Sequence, residues 1–329
     1  MVDVKPHYGC AGRTEGADIV QLGVRELFDF IAAGKAQELP AGAVPEGRFP
    51  ATSLEPAMRD ARLFAVPLNV YLPVLLANRP LLETLGMEVN GFEDFTAACG
   101  RFRQAQGRGE IPADFLALAS QVNPFQYLYA YSRDCLKDGR LDWGTPAVLE
   151  FFERMCSVQR PPAEIGMLSA ELSERFMRGK ALFLGCYAFF LDGIPDFAAV
   201  LPFPHKKGGA VMYGANYHAV SALSPHRAEA AKFLQSLCSE EAAAWVNACG
   251  GLHVLSSGPA GDDALAAAER QVFKSSVNCM VCGTGNYDYI SQSFFPVIDH
   301  LREGLLSPRQ AIKLLRESYH ETDNRETPS

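Results

Sequence analysis

Cys279 and Cys282 form the chain's one C-x-x-C pair, the first place to look for metal or redox chemistry. A structural zinc needs four ligands, and neither Cys249 nor His300 stands at ligand spacing from the pair. A thioredoxin-like thiol pair needs a strand-to-helix setting that Val277 to Gly283 lacks. Gly283-Thr284-Gly285 is without the spaced glycines that open a helix in a phosphate-binding loop. No GxSxG, HExxH or P-loop pattern occurs. The acid pairs Glu240-Glu241 and Asp262-Asp263 stand at the starts of helical runs, where they complement the helix dipole. No catalytic residue, metal site or cofactor is therefore expected, and the chain reads as a non-enzyme.

Tyrosines beside glycines and amides carry more information. Phe125, Tyr127, Tyr129 and Tyr131 crowd one helical segment, and Tyr187, Phe189 and Phe190 follow Gly185. Tyr213 and Tyr217 flank Gly214-Ala215-Asn216, and Tyr287 and Tyr289 surround Asp288. Most of these rings must be core. Yet a flat aromatic face beside an amide is also what a sugar site needs, the ring for C–H stacking and the amide for hydroxyls.

A length of 329 residues suffices for two domains. Hydrophobic residues are 48% and charged residues 21%, ordinary globular usage. The net charge of -8 and pI near 5.4 give no basic footprint for nucleic acid. Lys206-Lys207 reads as a solvated turn. No run of about 18 apolar residues exists to span a membrane; Val66 to Ala77 is interrupted by Pro67, Asn69 and Pro73. The start, MVDVKPHYG, has no apolar core of a secretory signal. Nine cysteines, scattered and odd in number, read as free thiols of a reducing compartment.

These residues must be positioned by alternating strands and helices. Strands are expected at Ala17–Leu22, Leu63–Val66, Val70–Ala77, Ala181–Gly185, Phe197–Leu201 and His218–Ala222. Helices are expected at Arg25–Ala33, Phe92–Gln106, Asn123–Lys137, Thr145–Ser157 and Ser169–Gly179, then at Ala228–Cys238, Glu240–Ala248, Ala264–Ser275, Phe294–Glu303 and Pro308–Tyr319. Alternation predicts an α/β protein with mostly parallel sheets. Glycines make the loops around Gly107-Arg108-Gly109 and Lys206 to Gly209 the expected crossings between lobes.

In order along the chain, several segments resemble the extracellular solute-binding proteins of carbohydrate ABC transporters, the maltose-binding-protein-like group. Ala17 to Gly23 resembles "PDVVQLG", and Phe64 to Gly86 resembles "GVPLNVSTPVLYYNKDLLKKAG". Arg175 to Ala181 resembles "AFxxGKAAM", Val200 to Pro204 resembles "VxPLP", and Tyr213 to Ser224 resembles "GGxxxAISxxS". Glu229 to Leu234 with Ser239-Glu240-Glu241 resembles "EAAxxFLxxLxSxE".

The resemblance implies a type II periplasmic-binding fold, two discontinuous α/β lobes with a hinge and a ligand cleft at the carboxyl ends of the strands. Lobe 1 would be 1–107 with 208–256, lobe 2 would be 108–207 with 257–320, and 321–329 would be a flexible tail. The implied ligand-binding residues are Gln21, Gly23, Arg25, Asn69, Tyr71, Asn123, Phe125, Tyr187, Asn216 and Tyr217. The implied function is binding of a sugar or oligosaccharide for an ABC importer, with permease subunits as partners, a monomeric state and an extracytoplasmic location.

Three features depart from the pattern. The first strand and helix of lobe 1 are expected to be missing if Val2 to Tyr8 is the second strand. No signal or lipoprotein cysteine stands at the start, and the thiols are many for an exported protein. Trp143 and Trp245 lie outside the matched cleft positions. These departures keep open a cytoplasmic sugar-sensing domain detached from a transcriptional regulator, and an enzyme on the same scaffold.

Overall fold

Most apolar runs in the computed structural model become strands, and most amphipathic runs become helices, close to the expected positions. The structure describes residues 4–6, 16–45, 47, 49–158, 169–187, 191, 193–248, 252–254, 264–273, 275–279, 286 and 288–323. Cys10, Phe189, Phe190, Cys249, Asp262, Asp263, Cys282, the segment Gly283 to Gly285 and Tyr287 lie outside the described residues.

The strands are β1 Val4–Pro6, β2 Ile19–Leu22, β3 Met58–Arg59, β4 Arg62–Leu63, β5 Ala65–Tyr71, β6 Pro73–Asn78 and β7 Leu116–Ser120, then β8 Leu136–Lys137, β9 Arg140–Leu141, β10 Ala181–Tyr187, β11 Ala198–Pro202, β12 Met212–Val220, β13 Leu252–His253 and β14 Val277–Asn278. The helices are α1 Val24–Ala32, α2 Ala51–Leu54, α3 Arg79–Leu85, α4 Phe92–Gly107, α5 Pro124–Tyr131 and α6 Pro146–Met155, then α7 Ser169–Met177, α8 Arg227–Leu237, α9 Glu240–Ala248, α10 Ala264–Phe273, α11 Phe295–Arg302 and α12 Pro308–Asp323.

The chain divides into two compact units. Met1–Leu72, Tyr213–Arg270 and Val277–Met280 form the first, and Pro73–Met212, Gln271–Ser276 and Val281–Ser329 form the second. The division falls at Leu72/Pro73, not at the expected 107/108, and at Met212/Tyr213 rather than 207/208. The reason is in β5 and β6. Val70 to Ala77 reads as one apolar strand, but only Leu72 separates two strands that belong to different sheets. Gly107 and Gly109 turn the chain between α4 and β7 inside the second unit, with Gly109 at φ 74°.

The first unit's sheet runs β1-β2-β12-β5-β13, with β14 pairing β12. The short strand β1 lies parallel beside β2, Val4 opposite Ile19. It thus pairs the edge of β2 that a missing first strand would leave open. The second unit's sheet runs β11-β6-β10-β7. Neither sheet is mostly parallel, contrary to the expectation. β1/β2 and β7/β10 pair in parallel, but β12 runs antiparallel to β2 and β5, β13 to β5, and β6 to both β10 and β11. Parallel pairing requires a crossover that returns the chain to the same sheet, and β5 runs on into β6 without one.

Aromatic side chains fill the second unit. Phe92, Phe95, Tyr127, Tyr131, Phe151 and Phe152 are almost fully buried, and Phe92 meets Tyr131 edge-on at 5.0 Å between centroids. Thr145 caps α6 as its sequence suggests, its Oγ1 accepting from the Val148 N–H at 3.3 Å. Asn123 to Lys137 is not one helix. Ser132 leaves helical space at φ -155°, and its Oγ accepts from the Asp134 N–H at 3.1 Å. A hairpin follows, turning on Asp138 and Gly139 at φ 51° and 75°. Both residues adopt the left-handed conformation that two-residue hairpins require.

Lys206 is not a freely solvated turn residue. Its Nζ donates to the Tyr131 hydroxyl at 3.0 Å, lies 4.4 Å from the Tyr131 ring centre, and faces Glu93 and Glu150 at 3.6 and 3.7 Å.

Candidate functional site

Strand direction and register decide which expected site residues can act together. In the first unit β2 and β5 run the same way and β12 runs against them, so Leu22, Tyr71 and the start of β12 share one sheet end. Asn69 pairs with Asn216 and Tyr71 with Gly214. Cross-strand partners point to the same face. Asn69, Tyr71 and Asn216 therefore form one half-buried patch of two amides and a phenol ring. Gly214 makes this geometry possible: a Cβ there would lie 2.1 to 2.4 Å from the Tyr71 ring atoms. The ring lies flat against bare backbone.

That contact gives a test of the patch. The clashing atoms are the far end of a side chain rather than backbone, so Gly214→Ala is expected to displace the ring rather than unfold the sheet. The expected result is a melting temperature close to the parent and a loss of about tenfold in affinity for any solute stacked on Tyr71. Calorimetric titration beside a melting curve checks both halves.

Gln21 lies at the end of β2 opposite His218, and Gly23 is the N-cap residue of α1, in extended conformation at φ -68° and ψ 166°. Both are half-buried, and Arg25 on α1 is exposed. Tyr217 does not join this patch. It is fully buried; its hydroxyl donates to the Ser53 carbonyl at 2.9 Å and accepts from Asn278 Nδ2 at 3.1 Å. Burial raises its pKa, so it stays a neutral phenol. Successive strand residues point to opposite faces, which sets Asn216 at the patch and Tyr217 in the core; the pairing with β5 shifts register between them.

In the second unit β7 and β10 are parallel, so Ser120, Asn123 and Tyr187 gather at one end of that sheet. Tyr187 is half-buried at the end of β10, opposite Pro73. Asn123 is the N-cap of α5, its Oδ1 accepting from the Phe125 N–H at 2.7 Å. That bond uses its carbonyl and leaves the amide nitrogen. Phe125 is a correction: it is 1% exposed and packs edge-on against Phe294 at 5.7 Å, so it is core. The first turn of α5 points that ring inward, which the identity of the residue does not reveal. The Ser120 hydroxyl and the Tyr127 hydroxyl lie 3.0 Å apart, in a space that a Cβ at Gly185 would fill at 2.1 Å from the Tyr127 oxygen.

Sequence reasoning missed Ser120 and Gln121. The signal was present: both end the apolar run Leu116–Ala119, directly before the Asn123-Pro124 cap.

The buried thiols are set for packing rather than for nucleophilic chemistry. Cys99, Cys135, Cys186 and Cys238 are buried and form no disulfide. Desolvation pushes the Cys99 and Cys238 pKa values up to about 12, away from the nucleophilic thiolate. Among the described residues no cluster of three or more His, Cys, Asp or Glu could hold a metal ion. No described helix is long and apolar enough to cross a membrane. A cavity of about 580 Å³ in the second unit lies between the start of α6 and one face of α12, lined by Trp143, Leu149, Ile312 and Arg316 among others. It takes in none of the strand-end residues.

No protein-family model matches the chain, and no curated protein does. Solved structures match nearly all of it. Maltose-bound MalE3 from T. maritima superposes with a TM-score of 0.70 at 18% identity, covering 94% of this chain and 85% of that one. A family 1 extracellular solute-binding protein from Bifidobacterium longum subsp. infantis gives 0.72 at 16%, covering 94% and 86%. An ABC substrate-binding protein from Listeria monocytogenes, in complex with cycloalternan, gives 0.70 at 16%, covering 94% and 86%.

Proposed function

We propose, from the two-lobed solute-binding fold that this chain shares with those structures, that it binds a neutral sugar or oligosaccharide without transforming it. The observation that carries the reading is the patch of Asn69, Tyr71 and Asn216, a ring lying on glycine backbone beside a cross-strand pair of amides. A pyranose offers apolar C–H faces and a rim of hydroxyls, and this patch matches both. In the second unit Tyr187 and the Asn123 amide supply the same two kinds of group. Gln21, Gly23 and Arg25 border the first patch. Binding then rests on stacking and neutral hydrogen bonds, with no nucleophile, metal or acid–base pair.

Delivery to an ABC importer, with permease subunits as partners and an extracytoplasmic location, accompanies this reading. It is supported by the names of the similar structures, which are extracellular or ABC substrate-binding proteins. A thermal-shift screen against mono-, di- and oligosaccharides tests the ligand class. A sugar at 100 times its dissociation constant stabilises the folded state by about 2.7 kcal/mol. A shift with at least one sugar is expected, and its loss in Tyr71→Ala; amino acids, peptides or inorganic anions shifting the curve instead would overturn the reading.

A further inference from the structure

The last helix carries a row of cations that its own stability does not explain. Arg309, Ile312, Lys313 and Arg316 recur at three- and four-residue steps along α12, so they share one face. Like charges at those steps destabilise a helix. Lys313 faces Glu317 at 3.8 Å, but Arg309 and Arg316 stand in no ion pair among the described residues. The row borders the cavity of about 580 Å³ that α12 forms with the start of α6. Half-buried Leu149 and Ile312, with buried Trp143, supply its apolar wall. The Arg316 guanidinium occupies the place that a Cβ on Gly144 would take. It therefore rests at the amino-terminal end of α6, where the helix dipole is also positive. Asp142 Oδ1 borders the same space and accepts from the Gly144 N–H at 2.8 Å. Among the described lining residues Glu317 is the carboxylate, against three cations. In a chain of net charge -8, this is a local excess of positive charge beside an apolar wall.

We propose that this cavity is a second binding site, for a small organic anion of the aryl phosphate class. The inference is independent of the carbohydrate reading, since the cavity shares no residue with the strand-end patches. Its volume lies within the range of about 300 to 1,000 Å³ that small organic ligands fill, so a bicyclic ring fits with its head group. Two unpaired guanidiniums call for a head group of about two negative charges, which a phosphate monoester carries and a single carboxylate does not. Guanidinium N–H pairs also match phosphate oxygens in geometry. Arg309 and Arg316 stand about 10 Å apart along the helix axis, and their long side chains reach one group from two sides, with Lys313 between them. The ring lies against Leu149 and Ile312. An inorganic ion leaves that wall unused, and a neutral sugar leaves the guanidiniums without a counter-charge.

The test is calorimetric titration of the full chain with 1-naphthyl phosphate, 1-naphthol and inorganic phosphate. The naphthyl phosphate is expected to bind with a dissociation constant of about 1 mM or tighter, and the other two at least about tenfold more weakly, because each offers one half of the match. A double variant, Arg309→Gln with Arg316→Gln, is expected to lose at least about tenfold in affinity for naphthyl phosphate. Both side chains are exposed, so its melting temperature should stay at the parent value. Lys35→Gln with Lys232→Gln removes two exposed cations of the first unit and is expected to leave the affinity unchanged. No binding of naphthyl phosphate would overturn the proposal and leave the carbohydrate reading standing. Equal binding of inorganic phosphate, or equal losses in the two double variants, would also overturn it, since either would mean that net charge alone draws the anion.

Discussion

Replacing Gly209 with alanine is expected to lower the unfolding free energy by about 3 kcal/mol. Loop 206–210 lies directly on the last turn of α5. The Lys206 N–H donates to the Ala130 carbonyl at 2.9 Å and the Ala210 N–H to the Tyr129 carbonyl at 3.1 Å. These bonds satisfy carbonyls that a helix end leaves without partners. A Cβ on Gly209 would lie 1.9 Å from the Ala130 oxygen and 2.6 Å from the Ala130 carbonyl carbon. Both are backbone atoms, so no side chain can yield. The loop must lift, breaking both bonds and loosening Lys206 from Tyr131. Gly208 is the control. It sits at φ 96° with nothing near its missing Cβ, so Gly208→Ala costs only backbone strain, about 1 kcal/mol. Urea melts followed by circular dichroism distinguish the pair; equal losses would mean that the loop does not clasp the helix.

Stability falls by about 3 kcal/mol as the pH drops from 6.5 to 4, because His218 is buried uncharged. His218 lies within β12, paired with Gln21 and Val66, and its Nδ1 has no partner among the described residues. Desolvation pulls its pKa down to about 4 from the usual 6.5. The unfolded chain therefore takes up its proton first. Folding is undisturbed by this residue above pH 6.5, loses stability from there down to about 4, and loses no more below that. His253 acts in the same direction: burial lowers its pKa, although its Nε2 faces the Leu237 carbonyl at 3.1 Å. Carboxylates also contribute to acid lability, so the diagnostic quantity is the difference between parent and His218→Gln. The variant's stability should decline less steeply between pH 6.5 and 4; parallel curves would contradict a buried neutral imidazole.

Much of the fold was legible because periodicity and caps are local signals. Thr145-Pro146, Asn123-Pro124 and the apolar spacing of Phe92, Phe95, Cys99 and Phe102 mark helices that the structure bears out. What escaped the sequence was set by long-range geometry. Leu72 and Pro73 look like the middle of one apolar strand, and nothing local says that successive strands join different sheets. The hairpin at Asp138-Gly139 had its turn signal, but it was absorbed into an over-long helix. For the site, Tyr71 and Tyr187 stand at strand ends as expected, whereas Asn216 lies at the middle of β12; all three are half-buried. Phe125 and Tyr217 have equally suitable chemistry and turn inward. Which way a ring faces depends on a helix's first turn and on which face of the strand is packed, and neither is written in residue type.

On the proposed reading this chain holds a sugar by stacking and neutral hydrogen bonds and changes nothing in it. The most direct measurement is calorimetric titration of the purified protein with the carbohydrate giving the largest thermal shift, followed by chromatography of the recovered sugar. Saturable binding of one sugar per chain, with the sugar returned intact, is the predicted result. A hydrolysed or transferred product, or no binding heat with any carbohydrate, would contradict it.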